Sequence, residues 1–377
     1  TKALEAADGT FSALVWDNFR KRLHMCCDDG GAKQIYYWPS NNRLCFSNSL
    51  TLLLQVFGKP EISIKSLHEY LRFLDISPPY TIYENVFLLD SDKILTMDSS
   101  SLSVTDKIKP SVLIPEITDD LIQNRDSLKE TFTQRIASRM ENSRQTGVFL
   151  SGGIDSSLVC AAAAQIKKDI TAVTVGFHDP RYDESPVARK ISAHLGIKHE
   201  VLKFTANQDR SALHEFCANV PSPFADPAII PTFQCFKEIE GKFDLILDGT
   251  GADTLIGVMP ARHIHFILNF SRHIPTQLRS FFVKALSLNP KTATKKDLFD
   301  FQEAWQIMIR WKGWSSDQIG ALTGQECDLT HTMFYNIYHD NPDKTPYELY
   351  SMLMGALPDD RIHFCSSMFG PDISFPF

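Results

Sequence analysis

Two hydrophobic patterns divide the chain near residue 107. In the first part, short apolar or alternating runs cover residues 11–17, 22–27 and 33–38, and clusters of Asp, Gly, Pro, Ser and Asn separate them. Runs of this kind predict β-strands. Apolar residues at helical spacing interrupt them at 48–57 and 64–73. We therefore expect a β-rich domain with two helices over residues 1–107.

The second pattern is an alternation of strands and helices. Residues 108–117 contain two prolines and no periodicity, and this composition predicts a linker. A helix is expected from Thr118, which can cap it. Beyond it, apolar strand-like runs alternate with helical segments, which predicts a parallel, doubly wound sheet in a domain spanning residues 118–377, helical after about residue 260. The strand-like runs are 148–151, 170–177, 199–204 and 244–248.

Composition excludes several classes of protein. The chain has 377 residues, 43% of them hydrophobic and 22% charged, which is typical of a globular protein. Its net charge of -7 disfavours a nucleic-acid binder. Since no run reaches about 18 apolar residues, no membrane span is expected. The first ten residues lack the pattern of a signal peptide, so we expect a cytoplasmic protein.

The segment 148–157, VFLSGGIDSS, carries the clearest chemistry. A strand leads into a turn with two glycines, and a helix begins near Asp155, so backbone N–H groups and the positive end of the helix dipole converge. Asp155 adds a carboxylate, a ligand that Mg²⁺ prefers. Since a GxxxxGK[ST] motif is absent, the bound anion need not be the β- and γ-phosphates of a kinase-type site. The groups expected to contact the anion belong to Ser151, Gly152, Gly153, Ser156 and Ser157.

The same segment resembles the PP-loop of ATP pyrophosphatases, and its neighbours resemble the asparagine synthetase family. The resemblance implies an α/β fold: a doubly wound parallel sheet of the PP-loop ATP pyrophosphatase type with a helical C-terminal part, preceded by a partial β-rich Ntn-glutaminase-like domain. The supporting segments are 182–202 and 247–257 in the synthetase part, 366–377 near the end, and 9–17, 28–38 and 66–95 in the glutaminase-like part.

The resemblance also implies ligands and roles. Asp155 and Asp253 match the two aspartates that hold Mg²⁺ on the pyrophosphate of ATP. The backbones of Leu150, Val175 and Gly249 match positions that frame the adenine and ribose. The implied function is an ATP-dependent, AMP-forming ligase that adenylates a carboxylate, by default aspartate, and transfers ammonia from glutamine to it.

Several departures from the family signature bear on the substrate. Thr250 and Thr254 stand where the family has glutamates, and a threonine hydroxyl cannot act as a base near neutral pH. Asp248 lies two residues before Thr250 on the predicted strand, so both side chains would project to the same side. Asp248 and Thr250 are therefore the candidate catalytic residues. The resemblance further implies that the glutaminase nucleophile lies ahead of Thr1 and that the synthetase domain continues beyond Phe377.

Three hypotheses follow. The first is the asparagine-forming ligase, with a small-molecule or peptide carboxylate as substrate and glutamine or ammonia as nitrogen source. The second is a specialised relative: a lasso-peptide macrocyclase, a β-lactam-forming synthetase, or an amidotransferase acting on a sugar acid of a surface glycan. The third is a non-catalytic descendant that binds nucleotide. In each case a homodimer is one candidate assembly, without nucleic acid or membrane.

Overall fold

The structure is a computed structural model. It describes residues 11–28, 31, 33–40, 43–91, 93–98, 101–106, 125–223, 225–252, 262–289, 295–296, 299, 301, 306, 313–345, 348–349, 352–353 and 360–376. The predicted linker 108–117, the helix start at Thr118, and Asp253 and Thr254 lie outside these residues.

Strands dominate the first described part, with two helices among them. Ser49 begins the first helix, because its side chain accepts a hydrogen bond from the backbone N–H of Leu52. The elements are β1 (Ser12–Asp17), β2 (Arg22–Cys27), β3 (Tyr36–Ser40), β4 (Arg43–Ser47), α1 (Leu50–Phe57), α2 (Ile64–Phe73), β5 (Phe87–Leu88), β6 (Lys93–Met97) and β7 (Leu102–Asp106).

Four of these strands form an antiparallel sheet in the order β1-β2-β6-β7. The register pairs Met25 with Leu95 across β2 and β6, and both side chains are fully buried. β3 and β4 form a separate hairpin. The expected strands at 11–17, 22–27 and 33–38 are thus present within a few residues, whereas β4, β6 and β7 were not predicted.

Helices and parallel strands alternate in the second described part. Its elements are α3 (Arg125–Met140), β8 (Thr146–Phe149), α4 (Ile154–Ile166), β9 (Thr171–Gly176), α5 (Ser185–Leu195), β10 (Lys198–Lys203), α6 (Ala206–Asn219), α7 (Ile229–Glu238), β11 (Leu245–Leu247), α8 (Arg262–Ser271), α9 (Thr276–Ser287), α10 (Ser316–Thr323), α11 (Met333–Asp340), α12 (Asp360–Phe369) and β12 (Asp372–Ser374).

The five strands of this part form a parallel sheet in the order β10-β9-β8-β11-β12. Both faces are covered, as β11 illustrates. Leu245 and Leu247 pack with residues of α3, α4 and α5, whereas Ile246 packs on the other face with residues of α6, α7 and α12. This arrangement confirms the predicted doubly wound fold. The short strand β12 was not predicted, because three residues are too few to show alternation.

The chain divides into two compact units. Unit 1 comprises Thr1–Gly58, Leu89–Leu255 and Pro358–Phe377, and unit 2 comprises Lys59–Leu88 and Ile256–Leu357. Unit 1 therefore contains the antiparallel sheet and the parallel sheet. No helix within the described residues is both long and apolar enough to cross a membrane.

Unit 2 has a small apolar core beside a buried polar cluster. Phe73 packs against Phe334 with ring centroids 4.2 Å apart. Close by in sequence, Glu69 is fully buried, and its Oε1 accepts a hydrogen bond from the Ser77 backbone N–H (3.0 Å). The second carboxylate oxygen of Glu69 lies 3.5 Å from His331 Nε2.

Candidate functional site

The strand order creates a natural site at the carboxyl edge of the parallel sheet. From β8 the chain proceeds to β9 and β10 on one side, and it then returns to place β11 and β12 on the other. Strand order reverses between β8 and β11, and ligands of open α/β sheets bind in the crevice outside such a switch point. The two segments that follow these strands, 150–157 and 248–251, therefore meet at one edge.

Residues 151–157, called here the SGGIDSS loop, are held by their own hydroxyl groups. The Oγ atoms of Ser151 and Ser156 lie 2.9 Å apart. Ser151 Oγ also accepts a hydrogen bond from the Gly153 N–H (3.2 Å), and Ser157 Oγ donates to the Gly153 carbonyl (2.5 Å). Gly152 has φ of +95°, a backbone conformation that favours glycine.

Helix α4 opens directly from this loop without a capping side chain. Its N-cap residue is Gly153, and the first helical hydrogen bond runs from the Ser157 N–H to the Gly153 carbonyl (3.2 Å). The first N–H groups of a helix have no intrahelical partner and carry the positive end of the dipole. Because Ser151, Gly153 and Ile154 are exposed, this end of the helix faces solvent. The geometry suits an anion.

Gly249 brings the second segment into direct contact with the loop. A Cβ added at residue 249 would lie 2.8 Å from the Ser156 backbone nitrogen and 3.1 Å from the Asp155 carbonyl carbon. These are fixed backbone atoms at the start of a helix, so only glycine permits the approach. The two motifs singled out in the sequence are thus packed together.

The residues present fit a magnesium ion as far as they are described. Asp155 lies in the first turn of α4, partly exposed, beside the open helix end. Within the described ranges no group of three or more His, Cys, Asp or Glu side chains could hold a metal. Mg²⁺ needs no such cage, since it is often bound by one or two carboxylates together with substrate phosphates and water. The other candidate ligand, Asp253, is outside the described residues.

Leu150 has its backbone tied into the sheet. Its N–H donates to the Val173 carbonyl (2.9 Å), and its own carbonyl accepts from the Thr174 hydroxyl (2.5 Å). Val175, which follows Thr174 in β9, is half-buried. The predicted nucleotide-framing positions Leu150, Val175 and Gly249 therefore lie on three neighbouring strand ends.

The sequence analysis missed His199, a histidine that contacts Leu150 indirectly, through the hydroxyl of Thr174. His199 Nε2 lies 2.8 Å from Thr174 Oγ1, and the Thr174 hydroxyl hydrogen points to Leu150, so the imidazole is the donor. Burial, reinforced by the charge of Arg189, lowers the pKa of His199. A neutral imidazole thus supports the loop. The single histidine in an ordinary strand pattern gave no signal for this role.

A second missed feature orders the connection after β9. Lys203 Nζ lies 2.9 Å from Asp183 Oδ2 and 3.4 Å from the Phe177 carbonyl. The Ser185 N–H donates to Asp183 Oδ1 (3.1 Å). The hydrogen bond from Lys203, followed by one from the Ser185 side chain, holds the pKa of the Asp183 carboxyl well below its usual range. Together the hydrogen bonds made by Lys203 and Asp183 fix the segment 177–185 beside the sheet edge.

The expected relation between Asp248 and Thr250 needs correction. Strand β11 ends at Leu247, so Asp248 and Thr250 both lie beyond the strand and the alternation of a strand does not apply. The side chains nevertheless meet. The N–H and the hydroxyl of Thr250 both donate to Asp248 Oδ1, each at 2.9 Å. The Asp248 N–H is itself bound to the Ser374 carbonyl of β12 (3.0 Å).

Comparisons with known proteins place this geometry in context. The asparagine synthase family model matches residues 127–357, and the glutamine amidotransferase domain model matches residues 1–107. Asparagine synthetase (glutamine-hydrolyzing) 1 of Bacillus subtilis is 24% identical over 293 residues, 78% of this chain and 46% of that protein. A putative asparagine synthetase (glutamine-hydrolyzing) of Mycobacterium tuberculosis is 26% identical over 344 residues, 88% of this chain and 53% of that protein.

Among solved structures, the NH3-dependent NAD synthetase from Campylobacter jejuni is 13% identical, covering 64% of this chain and 92% of that chain, with a TM-score of 0.26. A score this low supports no structural conclusion. The chain spans about half the length of the curated relatives it matches, 46% and 53%. Because the asparagine synthase model matches more than half of the chain, residues 127–357, the chain belongs to the asparagine synthase family.

Proposed function

We propose that the chain comprises a glutaminase-like part and the synthetase part of an ATP-dependent amide-forming ligase. The observation that carries this proposal is the packing of Gly249 against the start of α4, which joins the SGGIDSS loop to the segment after β11. An open helix end, loop hydroxyls and a nearby carboxylate are the groups that recognise a metal-bound pyrophosphate.

The first half-reaction would be adenylation. The N–H groups at the start of α4 and the Ser151, Ser156 and Ser157 hydroxyls would bind the pyrophosphate portion of ATP. Leu150, Val175 and Gly249 would frame the adenine and ribose. Asp155 and Asp253 would hold Mg²⁺, which supplies positive charge that stabilises the pyrophosphate leaving group. The substrate carboxylate oxygen attacks the α-phosphorus, and the bond from phosphorus to the bridging pyrophosphate oxygen breaks.

The second half-reaction would be amide formation. An amine nitrogen attacks the carbonyl carbon of the acyl-adenylate, its surplus proton is accepted by the protein, and AMP leaves. Asp248 is the proposed proton acceptor, oriented by its hydrogen bonds from Thr250. Aspartate is the default carboxylate, which gives asparagine, and glutamine hydrolysis would supply the ammonia.

The domain assignment belongs to the same proposal. Residues 1–107 would be the partial glutaminase-like domain, 108–117 the linker and 118–377 the synthetase domain. We propose a cytoplasmic location and, as the assembly, a homodimer.

One observation favours a second candidate within this chemistry. Thr250 replaces a glutamate of the family signature, and here its hydroxyl is engaged with Asp248 beside the SGGIDSS loop. A changed side chain at the carboxyl edge of the parallel sheet, where the reaction is proposed to occur, suits a different carboxylate substrate. Such substrates are those of a macrocyclase, a β-lactam-forming synthetase or a sugar-acid amidotransferase.

Pyrophosphate release by the full-length protein tests the proposal. The protein is supplied with ATP and Mg²⁺ and screened against aspartate, peptide acids and sugar acids. Release that depends on one carboxylate supports the ligase and names its substrate. ATP binding without pyrophosphate release for any acid would favour the non-catalytic descendant.

A further inference from the structure

An ion pair joins the β-rich part of unit 1 to the parallel sheet. Lys33 Nζ lies 2.6 Å from Asp372 Oδ1, although the two residues are 339 positions apart in the chain. Lys33 precedes β3, and Asp372 is the first residue of β12. Both residues belong to unit 1. The two proposed half-reactions give this contact no role.

The backbone of Lys33 is fixed by a buried carboxylate. The Lys33 N–H donates to Asp28 Oδ2 (2.9 Å), which also accepts a hydrogen bond from the Phe11 N–H (3.3 Å). Asp28 is 5% exposed, and its own N–H donates to the Phe11 carbonyl (2.8 Å). The Lys33 side chain therefore extends from a held backbone. This reduces the ordering cost that makes most exposed ion pairs weak.

At the other end of the ion pair, β12 is a short edge strand with few contacts. It has three residues, pairs with β11 and ends the order β10-β9-β8-β11-β12. The Asp372 N–H donates to the Asp244 carbonyl (3.1 Å), and Ile373 is buried. Segments with few buried contacts open locally more easily than the interior of a sheet. A bond to Asp372 therefore raises the fraction of β12 that stays paired, even though this side chain is 70% exposed.

The last residue of β12 holds the proposed proton acceptor. The Ser374 carbonyl accepts the hydrogen bond from the Asp248 N–H (3.0 Å), just beyond the end of β11. On its other side β11 pairs with β8, where Leu247 lies opposite Val148. Because this second pairing is independent of β12, opening of β12 would release mainly Asp248 and leave β11 beside the SGGIDSS loop.

We propose that Lys33 is a positioning residue for Asp248. The proposal rests on the proposed function, in which Asp248 accepts a proton from the attacking amine. Lys33 holds the start of β12, and the end of β12 holds the Asp248 N–H. Ligands of open α/β sheets bind at the carboxyl ends of the strands, so Lys33, at the start of β12, acts without touching the reactants. The β-rich part thereby influences amide formation.

Lys33→Met tests this role, because it removes the charge and keeps a long side chain. In the full-length protein, amide formation is expected to slow about threefold, an effect within the range of one exposed ion pair. Pyrophosphate exchange should stay at the parent rate. Lys33→Arg keeps the charge and should keep both rates. Unchanged amide formation in Lys33→Met, equal loss of both half-reactions, or a loss that arginine also shows would overturn the proposal.

Lys198→Met is the matched control. Lys198 forms an exposed ion pair with Asp169 (3.0 Å) at the start of β10, the other edge strand of the same sheet. This variant is expected to leave both half-reactions unchanged. Lys33→Asp combined with Asp372→Lys exchanges the two charges and should restore the amide formation lost in Lys33→Asp alone. Equal slowing in Lys198→Met, or no recovery on charge exchange, would contradict the role of Lys33.

Hydrogen exchange distinguishes failure of this proposal from failure of the proposed ligase, since it needs no substrate. A peptide covering residues 245–250 contains the Asp248 N–H and should exchange about threefold faster in Lys33→Met, but not in Lys198→Met. If the parent forms no amide, the ligase proposal fails, whereas faster exchange in Lys33→Met still supports the hold of Lys33 on Asp248. Unchanged exchange in Lys33→Met would overturn that hold even in an active ligase.

Discussion

Two helix starts in this molecule look alike in sequence and differ in chemistry. Helix α4 in unit 1 follows Gly153, and helix α2 in unit 2 follows Ser63; neither has a side-chain cap, and both have serines in their first turn. In α4 the serines are bound to one another and to the Gly153 carbonyl. In α2 the side chain of Ser63 makes no capping hydrogen bond, and Ser66 in the first turn is buried.

The difference shows what surrounds each helix end. The SGGIDSS loop is shaped in advance, and its position at a switch point between parallel strands leaves it open to a large charged ligand. The start of α2 faces a cleft whose exposed lining also contains the carboxylates of Glu84, Glu326 and Asp328. An uncapped helix start alone therefore does not identify an anion site, because the strand order and the neighbouring charges decide whether an anion can bind there.

The largest expected effect comes from separating the two motifs of the first site. Gly249→Ala would place a Cβ 2.8 Å from the Ser156 nitrogen, so the turn after β11 must move away from the loop. We expect pyrophosphate formation to fall at least about a hundredfold, or about 2.7 kcal/mol of barrier.

Gly196→Ala is the matched control for this change. Gly196 has φ of +67° and no atom within 4 Å of an added Cβ, so alanine adds backbone strain without a clash. It is expected to cost about 1 kcal/mol of stability and leave pyrophosphate formation unchanged. If Gly249→Ala and Gly196→Ala behave alike, the close approach has no functional role.

The sequence predicted the strands and helices that carry the SGGIDSS loop, but it did not predict the tertiary contacts that hold the loop and its neighbours in place. Strong periodicity located β8, α4, β9 and α5, and the fold class follows from their alternation. The contact of Gly249 with Ser156 could not be derived, because it joins residues 93 positions apart through the order of strands. His199 and Lys203 were missed because each lies in an unremarkable strand pattern and acts only through tertiary contacts.

The proposed metal ligand Asp155 gives the second largest expected effect. Asp155→Asn keeps the size of the side chain but removes its charge, so Mg²⁺-dependent pyrophosphate formation is expected to fall by about a hundredfold. Asp209→Asn is the matched control, since Asp209 also occupies the first turn of a helix, α6. Equal losses in the two variants would indicate a helix-dipole effect and remove Asp155 from the metal site.

The proposed proton acceptor Asp248 is expected to show a smaller and more selective effect. Asp248→Asn should slow amide formation about tenfold or more while pyrophosphate exchange changes little, because only the second half-reaction needs the base. The Thr250 donors can still bind the amide oxygen of asparagine. Measuring the two half-reactions separately checks this, and equal loss of both would assign Asp248 to nucleotide binding.

A histidine also lies near each helix start, and this sharpens the comparison by pH: His68 is buried within α2, and the half-buried His199 of β10 contacts Thr174 beside the SGGIDSS loop. Burial lowers the pKa of both His68 and His199, so the folded protein binds fewer protons than the unfolded chain. The contribution of these two histidines to the free energy of unfolding is therefore fully present above their unfolded pKa of about 6.5. It is lost as the pH falls toward their lower folded pKa.

Hydrogen exchange measured above and below this pH distinguishes the two units. His68→Gln should reduce the pH dependence of protection in α2, and His199→Gln that in β9 and β10. A pH dependence that stays the same in both variants would show that other groups control it.

The smallest expected effect tests whether Thr250 has replaced the family glutamate in catalysis. Two hydrogen bonds reach Asp248 Oδ1 from Thr250, one from the backbone N–H and one from the hydroxyl, both at 2.9 Å. Thr250→Ala removes only the hydroxyl bond, and the backbone bond continues to hold the turn. Because the backbone bond keeps Asp248 in place, each half-reaction should slow by less than about tenfold, or about 1.4 kcal/mol of barrier. Thr250→Ser restores the hydroxyl and should recover the parent rate. A larger loss in Thr250→Ala, rescued by serine, would mean that the hydroxyl contacts the substrate, and the specialised relative would then be the better description of this enzyme.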